Sequence, residues 1–241
     1  MKIVLIGYGK MGKEMEKVAL SRGHEIVAKI DPFAGDDFTS PQFATADVAI
    51  EFTTPQSAFD NYMECFKHNI PVVSGTTGWL NRLAEVKEWC ANSKQTFFYA
   101  SNFSIGVNIF FELNKMLARL MNDCPKYEVS MTETHHVHKL DAPSGTAISL
   151  AESVIENIDR KTKWELNRQS SPDVIAITAI RESEISGIHT VKYESPVDEI
   201  EIRHSSKSRQ GLAFGAILAA EFAAKRKGFL TMKDMLSITN Y

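Results

Sequence analysis

The 241-residue sequence predicts an α/β protein that begins with a doubly wound parallel sheet and continues into an α+β part with a mixed or antiparallel sheet. In residues 2–101, short apolar runs alternate with helical patterns, which is typical of a parallel sheet covered by helices. After Asn102 the pattern changes to a long helix and then to strands separated by short connections. Such connections are typical of antiparallel or mixed sheets.

Composition excludes several classes of protein. The chain is 44% hydrophobic and 24% charged, which is typical of a globular protein rather than a disordered one. The net charge of −3 does not favour a nucleic-acid or anionic-membrane partner. No apolar run approaches the roughly 18 residues of a membrane span, and no leader is evident, so we expect a cytoplasmic protein. Three widely spaced cysteines indicate neither a disulfide framework nor a zinc ribbon.

The first part contains five candidate strands, whose apolar residues are nearly continuous, as in strands buried on both faces. They are KIVLI, EIVAKI, DVAIEF, IPVVSG and TFFYAS. In the second part we expect a helix marked by apolar residues at helical spacing, a strand over 127–136, a helix over about 144–157 and three further strands. These strands are ITAIR, HTVKYES and DEIEIRHSS. The apolar residues of the first helix are Ile109, Phe110, Leu113, Met116, Leu117 and Leu120. A final Ala-rich helix, about 211–225, is expected to return to the first sheet.

The first motif with chemical content is GxGxxG at Gly7, Gly9 and Gly12, directly after the first strand and at the start of a helix. Gly7 permits a tight turn, Gly9 lets a pyrophosphate approach the backbone, and Gly12 lets the helix pack on the strand. Asp31 ends the second strand, where it can accept hydrogen bonds from ribose hydroxyls. This combination predicts a Rossmann-type dinucleotide site.

Charged residues near this motif leave the choice of dinucleotide open. Asp31 repels a 2′-phosphate and therefore favours NADH over NADPH. Lys10 and Lys29 are close enough in sequence to pair with such a phosphate.

Two further segments follow strands of the same predicted sheet. Residues 74–78 (SGTTG) come after the fourth strand, and residues 51–55 (EFTTP) come after the third. Because ligands of parallel sheets bind at the carboxyl ends of the strands, both segments are expected at the rim of the nucleotide site.

The densest motif is residues 133–146 (ETHHVHKLDAPSGT), with three histidines and a lysine within five positions. If the strand continues, His136 and His138 share one face with Thr134, while Glu133 and His135 share the other. Pro143 fits a first helical turn, so that residues 144–146 would offer N–H and hydroxyl donors to an anion. An imidazole beside an anion site suits proton transfer during a reduction.

A metal site and a solvated basic loop are the alternatives for this motif. We predict no metal, since Lys139 interrupts the cluster and neither a cysteine nor a carboxylate pair completes four ligands. His189 and His204 are left undecided.

Six segments in order resemble the dihydrodipicolinate reductase family. They are GYGKMG, EFTTP, SGTTG, ASNFSIGVN, THHVHKLDAPSGTA and SGIHTV, and the fifth is highly specific. The resemblance implies a dinucleotide-binding domain over 1–105 and 214–241 and a substrate-binding and tetramerisation domain over 106–213. It also implies NAD(P)H-dependent reduction of 4-hydroxy-tetrahydrodipicolinate to tetrahydrodipicolinate, a step of lysine and diaminopimelate biosynthesis, by a homotetramer.

Residue roles follow from the same resemblance. His135 matches the family's proton donor or acceptor, and Lys139 matches its catalytic, substrate-anchoring lysine. The further substrate contacts implied are His136, Ser144, Gly145 and Thr146. The cofactor contacts implied are Gly7, Tyr8, Gly9, Lys10, Met11, Gly12, Asp31, Gly75, Thr76, Thr77, Ala100, Ser101, Asn102 and Phe103.

Two departures from the family pattern concern the cofactor. Thr54 stands where several members carry an arginine, and Pro32 follows the ribose acid where some carry another. Both remove positive charge that could hold a 2′-phosphate, which favours NADH.

Two other functions remain open from the sequence. A related amino-acid dehydrogenase is one, and a semialdehyde dehydrogenase among these would need a nucleophilic cysteine. A nucleotide-sensing regulator without catalysis is the other, although neither a helix-turn-helix signal nor a basic stripe is present.

Overall fold

A computed structural model describes residues 1–31, 36–92 and 94–237. Its strands are β1 (Lys2–Ile6), β2 (Glu25–Ile30), β3 (Val48–Glu51), β4 (Val72–Ser74), β5 (Thr96–Tyr99), β6 (Glu128–His135), β7 (Lys163–Leu166), β8 (Val174–Arg181), β9 (Ile188–Glu194), β10 (Glu199–Ser205) and β11 (Gly228–Thr231). Its helices are α1 (Lys10–Ser21), α2 (Pro55–Lys67), α3 (Leu83–Asn92), α4 (Ile105–Asn122), α5 (Gly145–Ile155), α6 (Gln210–Ala223) and α7 (Met232–Met235).

The described chain divides into two compact units. The first comprises Met1–Ile105 and Arg209–Tyr241, and the second comprises Gly106–Ser208. The sequence-based boundary at 213 falls inside α6, which belongs to the first unit along its whole length because its small residues pack into that core.

The first unit is built on a parallel sheet with the strand order β11-β5-β4-β3-β1-β2. In β1, Ile3 and Leu5 face a core formed with α1 and α6, while Val4 and Ile6 face a second core formed with α2 and α3. Both faces are therefore buried, which explains the continuous apolar runs of the central strands. Strand β1 pairs with β2 on one side and with β3 on the other, so the chain builds the sheet outward from β1 in two opposite directions. The point where the direction changes lies between β1 and β3. The predicted doubly wound parallel sheet is confirmed.

Helix α6 packs against β3, β4, β5 and α1, as expected from its Ala-rich sequence. Its backbone comes very close to a neighbouring segment at Gly215, where an added Cβ would lie 1.7 Å from the carbonyl oxygen of Phe103. The helix can therefore reach the chain that leaves β5 only because residue 215 has no side chain.

The second unit holds a mixed sheet with the strand order β10-β9-β6-β8-β7. The pairs β10/β9 and β9/β6 are antiparallel, whereas β6/β8 and β8/β7 are parallel. One sheet face packs on α4 and α5 through an apolar core that includes Val129, Met131 and Ile177. This agrees with the predicted mixed or antiparallel sheet.

Two details differ from the sequence-based expectations. Strand β6 ends at His135, one residue before the predicted end, so the condition under which His136 and His138 would share a strand face is not met. Lys139 N–H instead donates to His136 O in a turn. Pro143 precedes the N-cap Ser144 rather than lying in the first helical turn.

Short edge strands β7 and β11 were not predicted. Each has four residues and carries little apolar periodicity, so pairing to β8 and β5 defines them. No described helix is both long and apolar enough to span a membrane.

We expect Gly215→Ala to lower the thermal midpoint of unfolding by roughly 6–12 °C, the equivalent of about 3 kcal/mol of overpacking. Gly211→Ala is the matched control, because an added Cβ at Gly211 in the same helix meets nothing within 4 Å. It should leave the midpoint within about 2 °C. Equal shifts of the two variants, measured by circular dichroism at 222 nm, would contradict this packing.

Candidate functional site

The glycine-rich loop after β1 has the geometry of a dinucleotide cradle. Gly7 has a φ of +90°, and an added Cβ would lie 2.1 Å from Phe52 O. An added Cβ at Gly12 would lie 2.5 Å from Gly7 O, whereas one at Gly9 would meet nothing within 4 Å. Protein thus fills the space around Gly7 and Gly12, while the space in front of Gly9 is open at the start of α1. A pyrophosphate fits this arrangement.

Asp31 lies beside this loop, as its position in the sequence predicted. The backbone N–H of Tyr8 donates to Asp31 Oδ2 over 2.8 Å, which fixes the carboxylate against the loop. Pro32, the departure that follows Asp31, lies outside the described residues.

The other residues of the motif divide into surface and core. Lys10 is exposed at the start of α1, and Met11 packs partly against the α1–α6 core. A cofactor contact of Met11 would therefore involve its backbone.

Glu51, fully buried at the end of β3, organises the neighbouring rim. Its Oε2 accepts from Ser74 Oγ over 2.8 Å, and its Oε1 accepts from Thr76 Oγ1 over 3.0 Å. The backbone N–H and the hydroxyl of Thr53 also donate to Oε1. One buried carboxylate therefore joins the loops that follow β3 and β4.

This network limits which groups of the loop after β4 remain available to contact a cofactor. The Thr76 hydroxyl also accepts from Thr53 N–H over 2.8 Å, so the side chain is already bonded on both sides. Gly75 lies against Phe52, whose ring would be 2.3 Å from an added Cβ, and Thr77 is exposed.

The predicted contacts after β5 differ in their exposure. Ala100 and Phe103 are buried, and the Phe103 ring packs near Phe52 and Phe98 in the core. Ser101 is exposed and Asn102 is half-buried. A nucleotide can therefore reach side chains at residues 101 and 102 but only backbone at 103.

In the second unit, a buried cluster forms where β6 meets β9. Glu133 and His135 lie on one face of β6, as the strand alternation predicted, and His189 is the register partner of Glu133 on β9. Glu133 is fully buried, and His135 and His189 are 7% and 6% exposed. His135 Nδ1 and His189 Nε2 lie 3.7 and 3.8 Å from Glu133 Oε2.

Glu133 connects the cluster to two other elements. Its Oε2 accepts from the backbone N–H of Ser144 over 2.9 Å, and its Oε1 accepts from Arg181 at the end of β8 over 3.1 Å. Although burial by itself raises the pKa of Glu133, the hydrogen bonds from Ser144 and Arg181 lower it below its usual range. Glu133 is therefore a carboxylate at neutral pH.

Both imidazoles are held in the neutral form. Burial lowers the pKa of His135, and although Glu133 opposes this shift, Lys139 adds to it. Burial, followed by repulsion from His135, lowers the pKa of His189 to about 4. The Nδ1 atom of His135 is buried without a hydrogen-bond partner among the described residues, and it faces Glu133.

The basic loop that follows β6 brings Lys139 close to this cluster. Its Nζ contacts both carboxylate oxygens of Asp141, at 2.7 and 2.8 Å, and its side chain is one-fifth exposed. His136 is half-buried, whereas His138 is exposed and contacts Glu184.

The predicted anion site at residues 144–146 is partly occupied by the protein itself. Ser144 Oγ caps α5 by accepting from Ala147 N–H, and it also bonds His189 Nε2 over 3.0 Å. The N–H groups of Gly145 and Thr146 open the helix and have no intrahelical acceptor. An added Cβ at Gly145 meets nothing within 4 Å, so an anion can approach these two groups.

Arg181, Glu133 and His189 belong to the cluster but were not assigned roles from the sequence. Arg181 is the register partner of His135, and it also donates to Asp141 O over 2.7 Å. Only strand pairing brings these distant residues together. The SGIHTV segment was a partial signal, since Gly187 borders His135 Nε2, 3.1 Å from an added Cβ. His204 stacks on Phe110 instead.

The donor atoms of Glu133, His135 and His189 lie within 4.8 Å of one another, a spacing that a metal ion can bridge. Ser144 already bonds the Glu133 and His189 atoms, and Lys139 and Arg181 add positive charge nearby. We assign no metal here, and the absence of one stays a prediction.

Comparison with known proteins gives a consistent match over the chain. Residues 1–103 match the family model described as dihydrodipicolinate reductase, N-terminus, and residues 106–236 match the corresponding C-terminus model. A 4-hydroxy-tetrahydrodipicolinate reductase from Christiangramia forsetii is 49% identical over 239 residues, 98% of each chain. One from Staphylococcus carnosus is 33% identical, over 98% of this chain and 99% of its own.

A solved structure has the same fold. The dipicolinate-bound dihydrodipicolinate reductase from Paenisporosarcina sp. TG-14 superposes with a TM-score of 0.77 at 24% identity, over 99% of each chain. The resemblance seen in the sequence is confirmed. The chain therefore belongs to the dihydrodipicolinate reductase family, and it is an oxidoreductase with the Rossmann-type fold that binds NAD(P)H.

Proposed function

We propose that this chain reduces 4-hydroxy-tetrahydrodipicolinate to tetrahydrodipicolinate in lysine and diaminopimelate biosynthesis, with NADH as the preferred cofactor. The observation that carries the proposal is the buried Glu133–His135–His189 cluster, which lies beside Lys139 and the open start of α5. The names of relatives that share 49% and 33% identity over nearly the whole chain support it. We further propose a cytoplasmic homotetramer, as the family resemblance implies.

The first unit would hold the nucleotide. The open space at Gly9 and the amino terminus of α1 suit the pyrophosphate, and Asp31 suits the ribose hydroxyls. When bound, NADH supplies a hydride. Asp31 repels a 2′-phosphate, and Thr54 adds no positive charge that would offset this repulsion, so NADH is preferred.

The second unit offers two groups of hydrogen-bond donors that can bind an anion. Lys139 Nζ, now paired with Asp141, can transfer to a substrate carboxylate, since its side chain is partly exposed. The N–H groups of Gly145 and Thr146 suit a second carboxylate at the helix start. Two anion-binding groups suit a dicarboxylate, and we place His136 at the same pocket as a further contact.

His135 would supply the proton that reduction requires. Its ring is neutral in the free protein because burial disfavours the imidazolium. Negative charge on a bound dicarboxylate opposes that effect, and Glu133 at 3.7 Å stabilises the protonated ring. The 4-hydroxyl of the substrate leaves as water together with a hydrogen of the neighbouring carbon, which creates a carbon–carbon double bond. The carbon that carried the hydroxyl would then accept the hydride, and His135 can donate its proton to the neighbouring carbon, which becomes basic at that point. Glu133, His189 and Arg181 are positioning residues in this account.

Two of the three cysteines, Cys65 and Cys90, are buried and do not favour a semialdehyde dehydrogenase. Burial raises the pKa of Cys90 to about 11, and it raises the pKa of the fully buried Cys65 further. A catalytic cysteine needs an accessible thiolate, so these thiols are unsuited to that chemistry.

The proposed reaction is tested by following NADH, and separately NADPH, at 340 nm with substrate freshly condensed from pyruvate and aspartate semialdehyde. Oxidation should require the condensed substrate, proceed faster with NADH and be inhibited by pyridine-2,6-dicarboxylate. If a folded protein that binds NADH oxidises none of it, the proposed reaction is refuted. That result would support the alternative of a nucleotide-sensing regulator without catalysis.

Lys139→Ala should lower kcat/KM for the dicarboxylate about 100-fold, because one charged hydrogen-bond partner of the substrate is lost. NADH affinity, measured by fluorescence titration, should change less than about twofold. Lys163→Ala is the matched control, since Lys163 forms a similar pair with Glu165, two residues away, at 3.0 Å. An equal loss of substrate and NADH affinity in Lys139→Ala would refute the substrate role.

A further inference from the structure

A charge cluster beside the nucleotide cradle has no role in the proposed reaction. Lys29 Nζ on β2 lies 2.6 Å from Glu16 Oε1 on α1. The hydroxyl of Tyr8 donates to the other Glu16 oxygen and accepts from Lys29 Nζ over 3.2 Å. The Lys29 ammonium also lies 4.5 Å from the centre of the Tyr8 ring. Three contacts therefore hold this lysine in one place.

Tyr8 connects this cluster to the ribose acid. Its backbone N–H bonds Asp31 Oδ2 over 2.8 Å, while its hydroxyl bonds both members of the Glu16–Lys29 pair. Lys29 precedes Asp31 by two residues on the chain. Lys29 and Asp31 therefore both contact Tyr8, and Asp31 is the residue expected to bind the ribose that carries the 2′-hydroxyl or 2′-phosphate of a dinucleotide.

We propose that Glu16 is a specificity-determining residue that selects NADH by holding Lys29 away from a 2′-phosphate. The inference rests on the proposed function only in requiring that this unit binds a nicotinamide dinucleotide. Glu16 offsets the charge of the ammonium, and Glu16 and the Tyr8 hydroxyl together occupy two of its three N–H donors, so the intact pair weakens the attraction of Lys29 for a phosphate. The Glu16 carboxylate also repels the roughly two negative charges of a phosphate monoester.

Removal of the Glu16 charge should not leave an unpaired buried ion. The side chains of Lys29 and Glu16 are 32% and 21% exposed, so water can solvate the released ammonium. The flexible lysine can then reorient toward a phosphate.

The test is direct titration of NADH and NADPH into the substrate-free protein by calorimetry, with Glu16→Gln as the variant. NADPH should bind about tenfold more tightly to the variant, while the NADH Kd changes less than twofold. The gain should shrink between 50 and 500 mM salt, because screening weakens charge pairs at a partly exposed site. Glu14→Gln is the matched control, because Glu14 lies on the same helix and pairs with Lys17 at 2.8 Å. It should leave both Kd values unchanged.

Lys29→Met tests the other partner and does not depend on the stability of the Glu16 variant. In the wild-type background it should leave NADPH affinity within twofold, and in the Glu16→Gln background it should abolish the gain. The proposal is overturned if Glu16→Gln leaves the NADPH/NADH affinity ratio unchanged, if the gain survives Lys29→Met, or if Lys29→Met alone weakens NADPH binding tenfold. Failure of the wild-type protein to bind either dinucleotide would instead refute the cofactor part of the proposed function.

Discussion

The candidate active site depends on the buried carboxylate of Glu133. A buried charge is costly unless it is hydrogen-bonded, and here Ser144 N–H and Arg181 supply the bonds. These contacts tie together the end of β6, the end of β8 and the start of α5, and they place negative charge beside both imidazoles. The position of the helix start follows from this arrangement. The pKa values of His135 and His189 are lowered by burial, and the negative charge of Glu133 opposes that shift.

The nucleotide rim is built on the same principle. Glu51 is buried at the end of β3, and the hydroxyls of Thr53, Ser74 and Thr76 donate hydrogen bonds to it. Tyr62 extends this network through its bond to Ser74. Because each loop contributes donors to one carboxylate, neither loop can shift alone without leaving a buried polar group unpaired. The rigid rim leaves backbone and residues such as Thr77 and Ser101 for contact with a ligand.

Local signals predicted much of the fold and part of the site. The apolar runs predicted β1 to β5, and the spacing of Gly7, Gly9 and Gly12 predicted a cradle whose close contacts the structure shows. Strand alternation correctly placed Glu133 and His135 on one face. The roles of Glu51 and Arg181 were not predictable in this way, since each depends on which strands are neighbours. The pairing of Lys29 with Glu16 likewise depends on how α1 packs against β2, so sequence proximity alone left Lys29 as a candidate phosphate ligand.

The central claim is that His135 is neutral in the free protein and gains its proton when a dicarboxylate binds. NMR titration of the imidazole resonances, assigned with His135→Gln and His189→Gln, measures this directly. In the free protein the pKa of His135 should lie below the ordinary value of about 6.5, and saturating pyridine-2,6-dicarboxylate should raise it. Titration of His135 at or above 6.5 in the free protein, unmoved by the dicarboxylate, would contradict the account.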